Sequence, residues 1–157
     1  MLFTGEYKHN IDAKQRLAIP SDLRSRLDSQ VHGDAFYIAP GQMGALWLWP
    51  ERTFEAMALA TEQSLVPDEE MLEYEQLLYS QAARVELDKA GRVRIPERMI
   101  RIADLGSKVV VLGVKDHLEV RDPDRWELLR EEKLAQQSEI MLRARRALQK
   151  QRRGSTE

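Results

Sequence analysis

The chain has 157 residues, of which 43% are hydrophobic and 32% are charged, with a net charge of -2 and no cysteine. This size allows one domain or two small fused ones, and the composition is that of a soluble globular protein. No apolar run approaches the roughly 20 residues that cross a bilayer, and the absence of cysteine excludes disulfides and thiolate metal sites. No signal-peptide pattern is visible, so we expect a cytoplasmic protein that needs neither a membrane nor a cofactor.

The first part of the chain is organised around the segment IDAKQRLAIP at positions 11–20, which follows a predicted strand at 3–9. Aliphatic residues alternate with other residues in its second half, which predicts a half-buried strand with Arg16 pointing outward. Asp12 opens a polar turn, where its carboxylate can accept backbone N–H groups and orient the arginine. Pro20 ends the strand and suits the first turn of a short helix.

The next elements predicted are a hairpin and two helices. Aromatic and aliphatic runs at 36–38 and 46–49 indicate the two hairpin strands. A helix is predicted from Pro50 and another after Asp68, whose side chain suits the N-cap. From position 53 to position 83 there are seven acidic residues and no basic one, so these helices form an acidic connector.

The segment LDKAGRVRIP at 87–96 repeats the first motif without a gap. Both copies read aliphatic, Asp, three residues, Arg, aliphatic, any residue, Ile and Pro, with Asp88 and Arg92 in the places of Asp12 and Arg16. The order of predicted elements around the motif also recurs, ending in a helix from about Pro123. The chain therefore contains a duplicated unit.

The paired Asp-x-x-x-Arg motifs, each followed by aliphatic-x-Ile-Pro, and the opening MLFTGEY resemble the MraZ family of bacterial transcriptional regulators. That family is tied to the division and cell-wall gene cluster and is related to AbrB-type DNA-binding domains. The resemblance extends to about Leu129, with Gln15 where the family usually has glycine. It implies an α+β, β-rich fold, in which two tandem repeats form a double-split, swapped-hairpin β-barrel with peripheral helices.

From this pattern we expect four segments. These are a first repeat at 1–65, an acidic helical connector at 66–81, a second repeat at 82–129, and a C-terminal helix with a basic tail at 130–157. The resemblance further implies a homo-oligomer that closes into a ring. It also implies double-stranded DNA as the partner, with direct repeats upstream of the protein's own gene cluster as the site and the nucleoid as the location.

The expected DNA contacts are basic residues on or near the two motif strands: Arg16, Arg92, Arg94, Lys8, Lys14 and Lys89. Arginines on paired strands can read base edges in the major groove, and lysines can fix the register on phosphates. One exposed arginine alone would be an ordinary surface residue, but its recurrence in both copies favours contact with a ligand. Asp12 and Asp88 are expected to shape the turns and orient the arginines, not to act as acid or base.

The sequence shows no catalytic or metal-binding pattern. The three histidines, His9, His32 and His117, lack metal-ligand spacing, and no serine lies in a nucleophile-elbow context. We therefore expect a sequence-specific DNA-binding regulator without enzymatic activity or small-molecule substrate. The alternative is a protein-binding module, antitoxin-like or a scaffold, that uses the acidic helices.

The C-terminal end leaves two interpretations open. Residues 143–153 include six basic residues and no acidic one. Such a segment can add sequence-independent contact with phosphates, or it can be a solvated and partly disordered end.

Overall fold

The computed structural model describes residues 1–61 and 64–154. The strands are β1 (Glu6–Asn10), β2 (Arg16–Ala18), β3 (Ala35–Pro40), β4 (Leu46–Pro50), β5 (Ala83–Glu86), β6 (Arg92–Arg94), β7 (Lys108–Val114) and β8 (His117–Arg121). The helices are α1 (Ser21–Arg24), α2 (Ser29–His32), α3 (Glu51–Ala60), α4 (Glu69–Gln81), α5 (Glu97–Ile102), α6 (Pro123–Ala135) and α7 (Gln137–Gly154), with a 3₁₀ turn at Gln42–Gly44.

The strands form two antiparallel sheets, which confirms the α+β prediction. The larger sheet has the order β1-β7-β8-β4-β3-β5, and the smaller one pairs β2 with β6. Strands β1 and β5 lie at the two edges of the larger sheet, so in the described part of the chain the hydrogen bonding does not close into a barrel. The closed barrel implied by the resemblance is therefore not formed as one continuous sheet. Strands β2 and β6 are only three residues long, and each is followed by an Ile-Pro pair whose proline cannot donate a hydrogen bond to a neighbouring strand.

The strand pairing has an internal twofold symmetry that relates the two copies. Strands β1 to β4 belong to the first copy and β5 to β8 to the second. The pair β1–β7 has its counterpart in β5–β3, the hairpin β3–β4 in β7–β8, and the pairs β2–β6 and β4–β8 each join equivalent strands. The copies therefore interlock within one compact unit, Met1–Pro123.

The larger sheet is covered on both faces. On one face, alternate residues of β3 and β4 pack with the motif strands and with the short helices that follow them. The aliphatic residues that follow the two motif arginines are at most 2% exposed, namely Leu17, Ile19, Val93 and Ile95. On the other face, Ala39 and Trp49 pack against Phe54 of α3, with Leu78 of α4 beside them. The alternation predicted for the motif strands is confirmed.

Two local predictions differ from the structure. The first strand begins at Glu6 instead of residue 3, because Gly5 adopts a φ of 95° and leaves Phe3 in an isolated bridge to Lys115. The helix after the first motif begins at Ser21, so Pro20 lies at its N-cap and not in its first turn as predicted, and no side chain caps it. By contrast, Asp68 caps α4 as predicted, since its carboxylate accepts the N–H groups of Glu70 at 3.0 Å and of Met71 at 3.4 Å.

The second unit begins at residue 124 and contains most of α6 and all of α7. The single long helix expected here is interrupted at Gln136, whose N–H bonds to the Lys133 carbonyl. The basic segment 143–153 is helical and exposed, and the predicted tail beyond Gly154 lies outside the described residues. No helix within these ranges is long and apolar enough to cross a membrane.

Candidate nucleic-acid interface

Strands β2 and β6 form a two-stranded ribbon that brings the two motif arginines onto one surface. Arg16 lies opposite Arg94, and Ala18 lies opposite Arg92. Between them Leu17 and Val93 face each other and are fully buried, so the residues on either side point outward. We call this outward face the arginine ribbon; it consists of Arg16, Ala18, Arg92 and Arg94.

In the first copy, Asp12 organises the turn and holds the arginine. Its Oδ1 accepts the backbone N–H groups of Lys14 at 2.9 Å and of Arg16 at 2.8 Å. Its Oδ2 accepts Nε–H of Arg16 at 2.7 Å. The carboxylate thus binds the inner edge of the guanidinium and leaves both terminal nitrogens for another acceptor, as in a residue that is positioned for recognition.

In the second copy, Asp88 repeats this arrangement. Its Oδ1 accepts the backbone N–H groups of Ala90 and Arg92, both at 2.9 Å, and its Oδ2 accepts Nε–H of Arg92 at 2.9 Å. Each turn also bonds across to the other copy, since the Ile19 N–H donates to the Gly91 carbonyl at 2.9 Å and the Ile95 N–H donates to the Gln15 carbonyl at 2.8 Å. The two turns and the ribbon therefore form one hydrogen-bonded structure.

The last residue of each turn adopts a left-handed conformation. Gly91 has a φ of 74°, which glycine accepts without strain, and Gln15 has a φ of 63° at the equivalent place. The hydrogen bonds of the first turn match those of the second, so the side chain of Gln15 does not change the turn geometry. At the turn of the second copy, the side chain of Arg24, which comes from α1 of the first copy, fills the space above Gly91. It donates Nη1–H to the Ala90 carbonyl at 3.1 Å.

Both motif carboxylates are held in the ionised form. The backbone N–H of Arg16 has the largest effect in lowering the pKa of Asp12 below 3.8; desolvation opposes it, and the hydrogen bond from the arginine side chain adds to it. The pKa of Asp88 is lowered in the same way by Arg92. An ionised carboxylate that is already bonded to an arginine accepts hydrogen bonds but has no proton to donate, so this chemistry suits orientation of the arginines.

The predicted lysines occupy three different places. Lys14 and Lys89 are exposed on the two turns, as the third residue of one and the second residue of the other. Lys8 is exposed on β1 opposite Val110, which places it in the larger sheet and not on the ribbon. The structure thus brings Arg16, Arg92 and Arg94 together, flanks them with two turn lysines, and leaves Lys8 on another sheet.

Sequence analysis missed a buried polar cluster on β8. Arg121 donates from Nε to Oε2 of Glu119 at 2.8 Å, and Glu119 Oε1 lies 3.2 Å from Nε2 of His117. His117 Nδ1 lies 2.8 Å from Oδ1 of Asp116, and its ring stacks on Trp47 with the centroids 4.5 Å apart. The alternation of these polar residues with Leu118 and Val120 is the sequence signal for a shared face.

The charges of this cluster stabilise one another. Burial lowers the pKa of His117, but the hydrogen bonds to Glu119 and Asp116 outweigh it and raise the pKa above 6.5. Burial raises the pKa of Glu119, but the hydrogen bonds from His117 and Arg121 outweigh it and lower the pKa below 4.5. Within residues 1–61 and 64–154, no group of three or more His, Asp or Glu is placed to hold a metal ion.

Together, the fold and the ribbon define a duplicated α+β protein that displays an arginine-bearing β-ribbon on a twofold frame. A family model described as "MraZ protein, putative antitoxin-like" matches residues 2–73 and 78–150. The chain therefore belongs to the MraZ family.

Similar proteins from several bacteria carry the name "Transcriptional regulator MraZ". The relative from Ligilactobacillus salivarius (strain UCC118) is 33% identical over 131 residues, which are 83% of this chain and 88% of the relative. The relative from Roseiflexus castenholzii (strain DSM 13941 / HLO8) is 35% identical over 126 residues, or 80% and 85%. The relative from Mycoplasmoides gallisepticum (strain R(low / passage 15 / clone 2)) is 35% identical over 130 residues, or 83% and 88%.

Proposed function

We propose that this protein is a sequence-specific DNA-binding transcriptional regulator that contacts DNA through the arginine ribbon. The observation that carries the proposal is the outward clustering of Arg16, Arg92 and Arg94 on two paired strands. A two-stranded ribbon fits the major groove, where arginine forms a bidentate pair with guanine. The names of the relatives agree with this role.

The aspartates of the turns are the positioning groups in this mechanism. Asp12 and Asp88 bind Nε of their arginines and fix the direction of the guanidinium before DNA arrives. The terminal nitrogens then meet a base edge with less loss of side-chain freedom on binding. Lys14 and Lys89, at the margins of the ribbon, contact phosphates and fix the register.

A net charge of -2 makes strong binding by one chain unfavourable, so we propose that several chains act together. Head-to-tail contacts between copies can close a ring, and neighbouring subunits can then engage successive direct repeats upstream of the protein's own gene cluster. The protein acts in the cytoplasm at the nucleoid and uses no cofactor. In this proposal, the interleaved strands of the two copies form a swapped-hairpin frame that carries the ribbon.

The test measures binding to DNA from upstream of the gene and to scrambled DNA across a salt series, for wild type, Arg16→Ala and Arg92→Ala. We expect each variant to lose roughly tenfold or more of its affinity for the upstream DNA, because a bidentate contact with a base is lost. The matched control is Arg101→Ala, which removes an exposed arginine of α5 that pairs with Glu97 and is not one of the ribbon residues. Unchanged binding in both ribbon variants, or loss of their thermal stability, contradicts the proposal.

A second candidate function is binding of a protein partner through α4. This helix starts with Glu69 and Glu70 and exposes Tyr74 and Leu77, and the matched family model is described as antitoxin-like. This function would be favoured over the first if a partner protein bound the Arg16→Ala variant but not the Glu70→Lys variant, and if the wild type showed no specific DNA binding.

A further inference from the structure

The arginine ribbon is symmetric in its backbone but not in its side chains. The internal twofold relates Arg16 to Arg92, and these two residues make equivalent ion pairs of 2.7 and 2.9 Å. The same twofold relates Ala18 to Arg94, a methyl group to a guanidinium. One end of the ribbon therefore carries Arg16 beside Arg94, and the other end carries Arg92 beside Ala18.

The extra arginine is also the least restrained of the three. Arg94 is exposed, whereas Arg16 and Arg92 are half-buried and held by their aspartates. Among the residues that the structure describes, no carboxylate pairs with Arg94. Directly opposed residues on antiparallel strands lie about 5 Å apart, so Arg16 and Arg94 can reach neighbouring base pairs.

We propose that Arg94 makes each chain read DNA in one direction. This inference rests on the proposed function and names the residue that determines the polarity of the site. A ribbon with equal ends would favour an inverted repeat, because its twofold would coincide with the dyad of the duplex. With two arginines at one end and one at the other, the preferred element is non-palindromic and carries the additional guanine contact at the end read by Arg16 and Arg94.

The turn lysines do not account for such a direction, although they are also placed unequally. Lys14 and Lys89 occupy different positions in turns that are otherwise alike. Lysine contacts with phosphates fix the register but carry no sequence information. The direction in which the base sequence is read therefore depends on the ribbon, which carries Ala18 at one end and Arg94 at the equivalent place of the other end.

The experiment selects binding sites from a random duplex library with wild type, Arg94→Ala and Ala18→Arg, and then measures the affinity of each protein for each selected site. We expect wild type to select a non-palindromic element. Arg94→Ala should bind that element roughly tenfold more weakly and should lose preference at one end only, while the bases read by Arg16 and Arg92 are still selected. Ala18→Arg, which gives both ends two arginines, should select an inverted repeat.

The reference variant is Lys89→Ala, which should weaken binding evenly across sequences and leave the selected element unchanged. A palindromic wild-type element, or an element that Arg94→Ala selects without change, overturns the inference while leaving the proposed function intact. Failure of wild type to select any sequence overturns the proposed function itself. If Ala18→Arg does not fold, the comparison of wild type with Arg94→Ala still decides the outcome.

Discussion

Equivalent strands of the two copies pair in two places, the ribbon and the centre of the larger sheet. Both places lie on the internal twofold, but their side chains differ. At the ribbon, Leu17 faces Val93 and two arginines occupy equivalent outward positions. In the larger sheet, Trp47 of β4 faces Glu119 of β8, an aromatic residue opposite a carboxylate. The same twofold backbone therefore carries one matching pair of arginines at the ribbon, Arg16 and Arg92, and an unlike pair at the centre of the larger sheet.

This difference shows that strand pairing maintains the symmetry of the fold even where the paired side chains differ. The repeated motif has a separate effect, which is to place equivalent arginines on the surface of the ribbon. The ion pairs at the ribbon are exposed by 32 to 39%, so they contribute little to stability and mainly fix the arginines. The ion pair of Glu119 with Arg121 is only 10 to 11% exposed. Loss of one partner there removes a charge pair that water screens only weakly.

The largest effect on stability is expected for Glu119→Ala. This change leaves Arg121 and His117 without their shared carboxylate, and we expect a loss of about 3 kcal/mol in the free energy of unfolding. Urea denaturation followed by tryptophan fluorescence measures it. Glu86→Ala is the control, because it removes a carboxylate that is 75% exposed and pairs with Arg84. Equal midpoints for the two variants would show that the β8 cluster is not a buried network.

A smaller effect is expected from the titration of His117. Its pKa is raised above 6.5 in the folded protein by Glu119 and Asp116, so the folded state binds the proton more tightly than the unfolded state. The resulting stabilisation is complete below about pH 6.5 and is lost as the pH rises through the folded-state pKa. The difference in stability between wild type and His117→Gln should therefore shrink from pH 6 to pH 9. A difference that stays constant or grows would contradict this sign.

The smallest effect is expected at the two motif turns. Gln15→Gly should stabilise the protein by up to about 1 kcal/mol, because the strain of a positive φ that it removes exceeds the cost of the extra freedom that glycine gives the unfolded chain. Gly91→Gln should destabilise it, since a Cβ at this position meets the Arg24 side chain. Thermal unfolding of both variants measures the two changes in stability. Changes of the same sign would mean that the two turns are not equivalent.

The part of the fold that sequence determines is local. The ten-residue motif fixes a turn through Asp12 or Asp88, a strand through alternation, and its end through proline. All of these act within a few residues, so they were predictable, as were the hairpin at β3–β4 and the cap at Asp68.

Tertiary structure decided which residues meet across the repeat. The antiparallel register of β2 with β6 places Arg16 beside Arg94, although 78 positions separate them, and it leaves Lys8 on another sheet. The exchange of strands between copies brings Trp47 over His117 and encloses the Glu119 charge cluster. Strand register is set by the burial of a whole face and by long-range pairing, and neither is encoded in the spacing of residues within a single motif.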